Sequence, residues 1–386
     1  MFLGREASKR VLLACAVKLP SMDHKGRLKR LQAAFERNSL DALLVTHLPN
    51  IRYLCGFTGT SGVLAILESS AVFFTDGRYS EQARAEVQGA RVVIARNPPL
   101  AADAEWLLEN KSKVDRKKPR ILGIESEHLT VAARSQLASL LRPDFRLRET
   151  RGLVERARMV KDADEIALLR AAAVFGARLF DRALEVIRPG VTENEVAAEM
   201  EYTARRAGAE QMSFPTIIAA GKRSALPHGR ASAAVIPPQG FVVCDFGVIL
   251  TGYCSDRTRT VYVGRPTSEA RSMYEAVREA QAAALEMVKP GVSVGDVDQA
   301  ARKILKQRGL GRHFTHSTGH GVGLEIHEPP RIAAGQTELL CTGMVVTVEP
   351  GVYIAGRGGV RIEDMVVVKE GGCEVLAPAS KELITI

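Results

Sequence analysis

The sequence predicts an α/β (α+β) chain of two domains, an α/β domain over residues 22–155 and a domain of two similar halves around a pseudo-twofold axis over 156–386. Three observations predict this. Residues 22 to about 150 alternate short apolar runs with amphipathic stretches. A decapeptide in the second region recurs 101 residues downstream. Each copy then leads into a strand-rich segment that carries two carboxylates.

Taken in order, residues 1–21 read as an extension. VLLACAV after Arg10 is at the lower limit for the apolar core of a signal peptide, and no A-x-A site follows. It reads as dispensable, or as an overlong start, rather than as a secretion signal. In the first domain, ALLVTHL (42–48), VLAIL (63–67), AVFFTD (71–76), RVVIA (91–95) and ILGIE (121–125) are strand-like. Helical stretches around 27–36 and 102–110 separate them. In the second domain, Asp162 with Glu165 three residues on forms a capping-box start. Ile166, Leu169, Ala173, Ala177, Phe180, Leu184 and Ile187 follow as one apolar stripe, and Pro189-Gly190 ends the helix.

The repeat pairs ALEVIRPGVT (183–192) with ALEMVKPGVS (284–293), identical at six of ten positions. Glu195-Val196 and Asp296-Val297 extend it, as do Gly208 and Gly309. A long helix, a Pro-Gly stop and a second helix therefore occur twice, and a site between the halves is expected.

Composition narrows the function classes. The 386 residues are 46% hydrophobic and 25% charged, with no apolar run near the roughly 18 residues a membrane span needs. Net charge is +9 and the pI about 9.3. Yet the densest basic cluster, Lys111 to Arg120, contains no aromatic residue and reads as a solvated loop, so no nucleic-acid partner is expected. The cysteines (Cys15, Cys55, Cys244, Cys254, Cys341, Cys373) are widely spaced with no C-x-x-C pair, which reads as reduced thiols and a cytoplasmic setting. Cys244, beside Asp245, would face the opposite side of a strand and serve packing.

The chemistry lies in the strand-rich segments. GFVVCDFGVILTGYCSDRTRTVYVG puts Asp245 in an apolar run and Asp256 across a Gly-Tyr turn. GMVVTVEPGVYIAGRGGVRIEDMVVV does the same with Glu349 and Glu363 across a Gly-rich turn. Four carboxylates converging on a buried sheet cannot all stay ionised without strong positive charge, because burial and mutual repulsion both oppose it. Hard divalent cations solve that problem. HSTGHGVGLEIHE supplies imidazoles at His316, His320 and His327, with glycines that let backbone approach a ligand. One imidazole with four carboxylates suits a pair of Mn²⁺, Co²⁺, Zn²⁺ or Fe²⁺ ions.

This constellation resembles the pita-bread metallopeptidases, the group of methionine aminopeptidase, Xaa-Pro aminopeptidase and Xaa-Pro dipeptidase (prolidase). GFTGTSG (56–62) and FTDGRYSEQA (74–83) resemble the creatinase-like N-terminal domain of the Xaa-Pro aminopeptidase branch. The resemblance implies two divalent cations, with Mn²⁺ the first expectation. Asp245 would hold one ion, His320 and Glu349 the other, and Asp256 and Glu363 would bridge them. His228 (in LPHGR), His316 and His327 (in IHE) stand where the family has substrate-side imidazoles, and Arg361 (in VRIED) where it has an arginine orienting the carboxylates. Glu349 would be the general base, with His327 or His228 stabilising an oxyanion. The expected activity is removal of the residue before a penultimate proline. The alternatives are an Xaa-Pro dipeptidase and, in another class, a metal-free amidinohydrolase like creatinase or a binding module. The intact ligand set argues against that last class. The resemblance further implies a homodimer or dimer of dimers, with the N-terminal domain narrowing the cleft to short peptides.

Overall fold

A computed structural model describes residues 22–110 and 119–386, which form two compact units dividing between Arg158 and Met159. The expected N-terminal extension and residues 111–118 of the basic cluster lie outside the described residues. No helix among the described residues is long and apolar enough to cross a membrane.

The first unit holds a mixed six-stranded sheet of β1 (Ala42–Val45), β2 (Val63–Leu67), β3 (Ala71–Asp76), β4 (Arg91–Ala95), β5 (Arg120–Glu125) and β6 (Phe145–Thr150), in the order β4-β3-β2-β1-β5-β6. The apolar β1 is buried throughout, as a central strand covered on both faces must be. Helices Pro99–Glu109 and Val131–Leu141 cover one face, packing Ala104, Leu107, Leu137 and Leu141 against Leu44, Leu122 and Ile124. Each of these leucine and isoleucine side chains contributes about 1.5–3 kcal/mol by leaving water. The expected run 42–48 stops at Val45 for a polar reason. The buried Glu125 carboxylate accepts from the backbone amides of Thr46 (2.7 Å) and His47 (2.9 Å), turning the chain into helix Leu48–Cys55. The edge strand β6 escapes the apolar pattern because its sequence, FRLRET, alternates with arginines exposed at the sheet edge.

Asp103, on helix Pro99–Glu109, is fully buried, and neither carboxylate oxygen has a hydrogen-bond partner among the described residues. Burial pushes its carboxyl up to about 8. The folded chain keeps that proton to about pH 8 whereas an unfolded chain releases it near pH 4, so the stability from this site falls as pH rises through that window and then levels off. Asp103→Leu should therefore raise resistance to unfolding at pH 8–9 by on the order of 2–4 kcal/mol. The gain should shrink as pH falls to 5 in denaturant titrations. An equal gain at both pH values would show that this carboxyl does not titrate with folding.

In the second unit the repeat is visible bond by bond. Helices Ala163–Val186 and Glu193–Arg206 form one pair, Ser268–Met287 and Val294–Gln307 the other. Gly190 and Gly291 end the long helices with φ of +93° and +82°, a conformation that favours glycine. Their amides donate to Ile236 and Leu340. Thr192 and Ser293 cap the second helices and bridge to Val235 and Leu339. The capping box of Asp162 and Glu165 is present. Of the expected stripe, Leu169, Ala173, Phe180 and Ile187 are buried while Ile166, Ala177 and Leu184 are half-buried. Leu168, Ala172, Gly176, Leu179 and Ala183 complete the buried face, which is wider than one i, i+4 row.

The strands that carry the site follow the same symmetry. The first half contributes β7 (Gln211–Met212), β8 (Ile217–Ala220), β9 (Gly240–Phe246), β10 (Val248–Leu250), β11 (Tyr253–Cys254) and β12 (Arg257–Val263). The second contributes β13 (Gly319–Gly321), β14 (Glu328–Ile332), β15 (Val345–Val348), β16 (Gly351–Ile354), β17 (Gly358–Arg361), β18 (Asp364–Lys369) and β19 (Gly372–Val375). β12-β9-β8 and β14-β13-β15-β18-β19 are antiparallel sheets, each covered by its own helix pair. Cys244 lies in the first half's core with Val242 and Phe246, on the face opposite Asp245, and burial pushes its thiol up to about 12.

Candidate metal centre

Strand alternation decides which side chains meet. Asp245, in β9, pairs across the ladder with Thr258 of β12, so the two share a face. Asp256 closes the β10–β11 excursion, where Thr251 (φ +50°) and Gly252 (φ +79°) make the turn. Glu349 directly follows β15, and Glu363 stands between β17 and β18. His320 is the middle residue of β13. Donor atoms of Asp256, His320 and Glu363 all lie within 4.8 Å of one another. His320 Nε2 is 3.5 Å from Asp256 Oδ2 and 3.3 Å from Glu349 Oε1. Arg361 Nη2 donates to Asp245 Oδ2, tying the fourth carboxylate to the group.

Asp245, Glu349 and Glu363 share one motif, in which a side chain holds one oxygen and leaves the other. Thr258 Oγ1 donates to Glu363 Oε2 at 2.7 Å, and Thr347 Oγ1 to Glu349 Oε1 at 3.3 Å. Asp245 Oδ1 and Glu363 Oε1 are buried with no hydrogen-bond partner among the described residues. Such atoms are costly unless a cation takes their lone pairs. The protonation tendencies agree. Burial, then Glu363, Asp245 and Glu349, holds Asp256 well above the usual carboxylate range. Burial with Glu349 and Asp245 does the same to Glu363, and burial pushes Glu349 up to about 7. These acids cannot all be anionic on their own charge alone.

The histidine completes the donor set. His320 Nδ1 donates to the Gly321 carbonyl at 3.0 Å, which fixes the tautomer and leaves the Nε2 lone pair facing Asp256 and Glu349. Burial keeps the ring neutral by lowering its pKa. A lone pair beside carboxylates repels them unless a cation lies between. The residues therefore fit divalent cations of the hard-to-borderline class that oxygen and imidazole share.

Arg361 is buried and anchored at each nitrogen. It donates from Nε to Thr258 Oγ1 (3.1 Å), from Nη1 to the Pro227 carbonyl (3.0 Å) and to Tyr353, and from Nη2 to Asp245. His316 Nδ1 donates to the Ser317 carbonyl (2.7 Å), so its Nε2 accepts from the Tyr353 hydroxyl (2.9 Å). Both nitrogens of His316 are thereby engaged. Burial and then Arg361 push it down to about 4, and it supports Tyr353 and Arg361 rather than carrying protons. His327 packs edge-on to His320, with ring centroids 4.4 Å apart, and burial followed by the His320 ring lowers its pKa. His228 is exposed at the wall of a cavity of about 910 Å³, which Asp245, Asp256, His316, His320, His327, Glu349, Arg361 and Glu363 also line. Thr258, Thr347 and Tyr353 were not expected from the sequence. The alternation of DRTRT, which turns Thr258 and Thr260 to one face of β12 and Arg257 and Arg259 to the other, is the one signal that could have found Thr258.

Comparison with known proteins places this geometry. Residues 167–370 match metallopeptidase family M24, and residues 27–160 match the creatinase/prolidase N-terminal domain. An Xaa-Pro dipeptidase of Pyrococcus horikoshii is 36% identical, over 93% of this chain and 98% of that protein. The structure of an Xaa-Pro dipeptidase from Bacillus anthracis superposes with a TM-score of 0.88 at 40% identity, covering 94% of this chain and all of that one. That of an X-Pro aminopeptidase from Thermotoga maritima gives 0.82 at 36%, covering 91% and 99%.

Proposed function

The chain belongs to metallopeptidase family M24, and from that premise we propose that it is an Xaa-Pro dipeptidase, cleaving the bond before proline in dipeptides. Aminopeptidase action is the first expectation from the sequence, on the motifs GFTGTSG and FTDGRYSEQA. Those motifs lie in an N-terminal domain that prolidases also carry, so they do not favour the longer substrate. Within their own domain they serve local structure. Gly56 ends a helix at φ +85°, Thr58 bonds Glu86, and Asp76 caps the turn at Arg78.

One observation carries the dipeptide reading. Arg331 lies directly opposite His320 in the β13–β14 register and lines the same cavity. It has no ion-pair partner among the described residues and so sets an uncommitted guanidinium beside the donor cluster. A free carboxylate one residue beyond the scissile bond is its natural complement, and a dipeptide supplies one there.

In this reading Asp245, Asp256, His320, Glu349 and Glu363 hold two divalent cations, Mn²⁺ first among Co²⁺, Zn²⁺ and Fe²⁺. When bound, the cations supply a water acidic enough to ionise near neutral pH and a Lewis acid for the scissile carbonyl. Glu349 Oε2, the oxygen Thr347 does not engage, takes the proton that water gives up and returns it to the proline nitrogen. His327, neutral and uncommitted to the donor cluster, donates to the carbonyl oxygen as charge builds there. Arg361 holds Asp245 in place, and Tyr353 with His316 holds Arg361. Assembly as a homodimer or dimer of dimers belongs to the same reading.

A peptide panel tests it. Xaa-Pro dipeptides should be turned over faster than Xaa-Pro-Xaa tripeptides. Arg331→Ala should raise KM for dipeptides about 10-fold or more, the cost of one charge-assisted contact. Preference for tripeptides, with KM indifferent to Arg331, would return the aminopeptidase reading.

A further inference from the structure

We propose that Asp298 and Arg302, on helix Val294–Gln307 and outside the donor cluster, are a positioning pair that sets the seat of Glu349 and His320 and thereby the site's affinity for cations. The inference rests on the metal-centre reading above. Arg302 lies one helical turn after Asp298, and its Nε and Nη2 fork onto the buried carboxylate at 2.6 and 3.2 Å. The same guanidinium donates from Nη1 to the Phe314 carbonyl (3.2 Å) and from Nη2 to the His316 carbonyl (2.6 Å), and it stacks 4.3 Å over the Phe314 ring. Asp298 Oδ1 accepts from Thr318 Oγ1 at 2.8 Å and from its amide at 3.3 Å.

One helical turn thus grips the backbone at 314, 316 and 318, just before His320. The grip continues inward along two paths. The Thr318 carbonyl accepts from the amide of Glu349 at 2.7 Å, and His316 passes through Tyr353 and Arg361 to Asp245.

The internal repeat shows that the fold alone does not require this pair. At the 101-residue offset, Asp298 corresponds to Ala197 and Arg302 to Glu201. Ala197 is simply buried in the first half's core, and Glu201 accepts from Thr216. The half that carries the histidine donor replaces a buried alanine with a buried acid, which costs desolvation that packing does not need to incur. Control of the adjoining donors gives that cost a use.

The test compares Arg302→Lys and Arg302→Met in the full chain. Lysine keeps the charge opposite Asp298, but one ammonium cannot fork onto the carboxylate while holding two carbonyls. Calorimetric titration of the metal-free proteins with Mn²⁺ or Co²⁺ should show affinity weakened about 10–100-fold in both variants, the usual effect of losing a group that orients a ligand. Circular dichroism should be that of the parent, and kcat on an Xaa-Pro dipeptide should fall more than KM rises. Parental affinity in Arg302→Lys would overturn the proposal, whether or not Arg302→Met folds. If the parent cleaves no Xaa-Pro peptide but the affinity loss appears, the dipeptidase reading falls and the positioning pair stands. A parent that binds neither cation overturns both.

Discussion

Glu363→Ala should give a folded chain that has lost both its cations and its turnover of Xaa-Pro peptides, with the same result for Asp256→Ala. Each acid supplies one of the three donors that cluster within 4.8 Å. Glu363 Oε1 is buried with no hydrogen-bond partner among the described residues, which leaves it free for an ion. The loss of activity should exceed the 10²–10³-fold that a single missing electrostatic donor typically costs, because the cations go with the carboxylate. Stability without metal should move the other way. Burial and the neighbouring acids hold Asp256 and Glu363 far above their ordinary pKa, so removing one relieves the other. In chelator, the variants should unfold no earlier than the parent. Metal content, turnover and thermal unfolding with and without chelator check these outcomes together. Full activity in exhaustively chelated parent, or metal retained by Glu363→Ala, would reject the assignment.

What the sequence made legible divides along physical lines. The five proposed donors could be named because a charged residue inside an apolar run is costly, and because the repeat brings Asp245 and Asp256 into correspondence with Glu349 and Glu363. Helix ends were readable where capping chemistry is local, as at Asp162, Thr192, Ser293, Gly190 and Gly291. Contacts between distant segments were not. Glu125 ends β1 from 79 residues away, Thr258 orients Glu363 from 105, and Asp298 holds Thr318 from 20. Threonine and tyrosine also raise no alarm in a strand, since their β-propensity already explains their presence there. The exposed arginines of β6 hid an edge strand for the opposite reason, that an edge tolerates charge. In the dipeptidase reading, the preference for dipeptides rests on the cavity-wall group Arg331, whose place opposite His320 depends on strand register.

His327→Ala should separate a helper from a ligand. Its ring meets His320 edge-on at 4.4 Å, and in the proposed reading it stands outside the five donors, so the variant should keep its metal. Burial and the neighbouring His320 ring lower its pKa, so the imidazole is neutral near pH 7 and can donate a hydrogen bond as charge builds on the carbonyl oxygen. Losing that contact should lower kcat on the order of 10²–10⁴-fold, with KM changed far less, because the interaction strengthens only in the transition state. His316→Ala should act differently. Both its nitrogens are occupied, by the Ser317 carbonyl and the Tyr353 hydroxyl, so its removal frees Tyr353 and loosens Arg361 behind Asp245. The damage should then appear partly as weaker metal binding. Steady-state kinetics on an Xaa-Pro dipeptide beside metal titration of both variants gives the answer. Were His327→Ala to lose metal as completely as Asp256→Ala, His327 would count among the ligands, and the oxyanion contact would pass to His228 at the cavity wall.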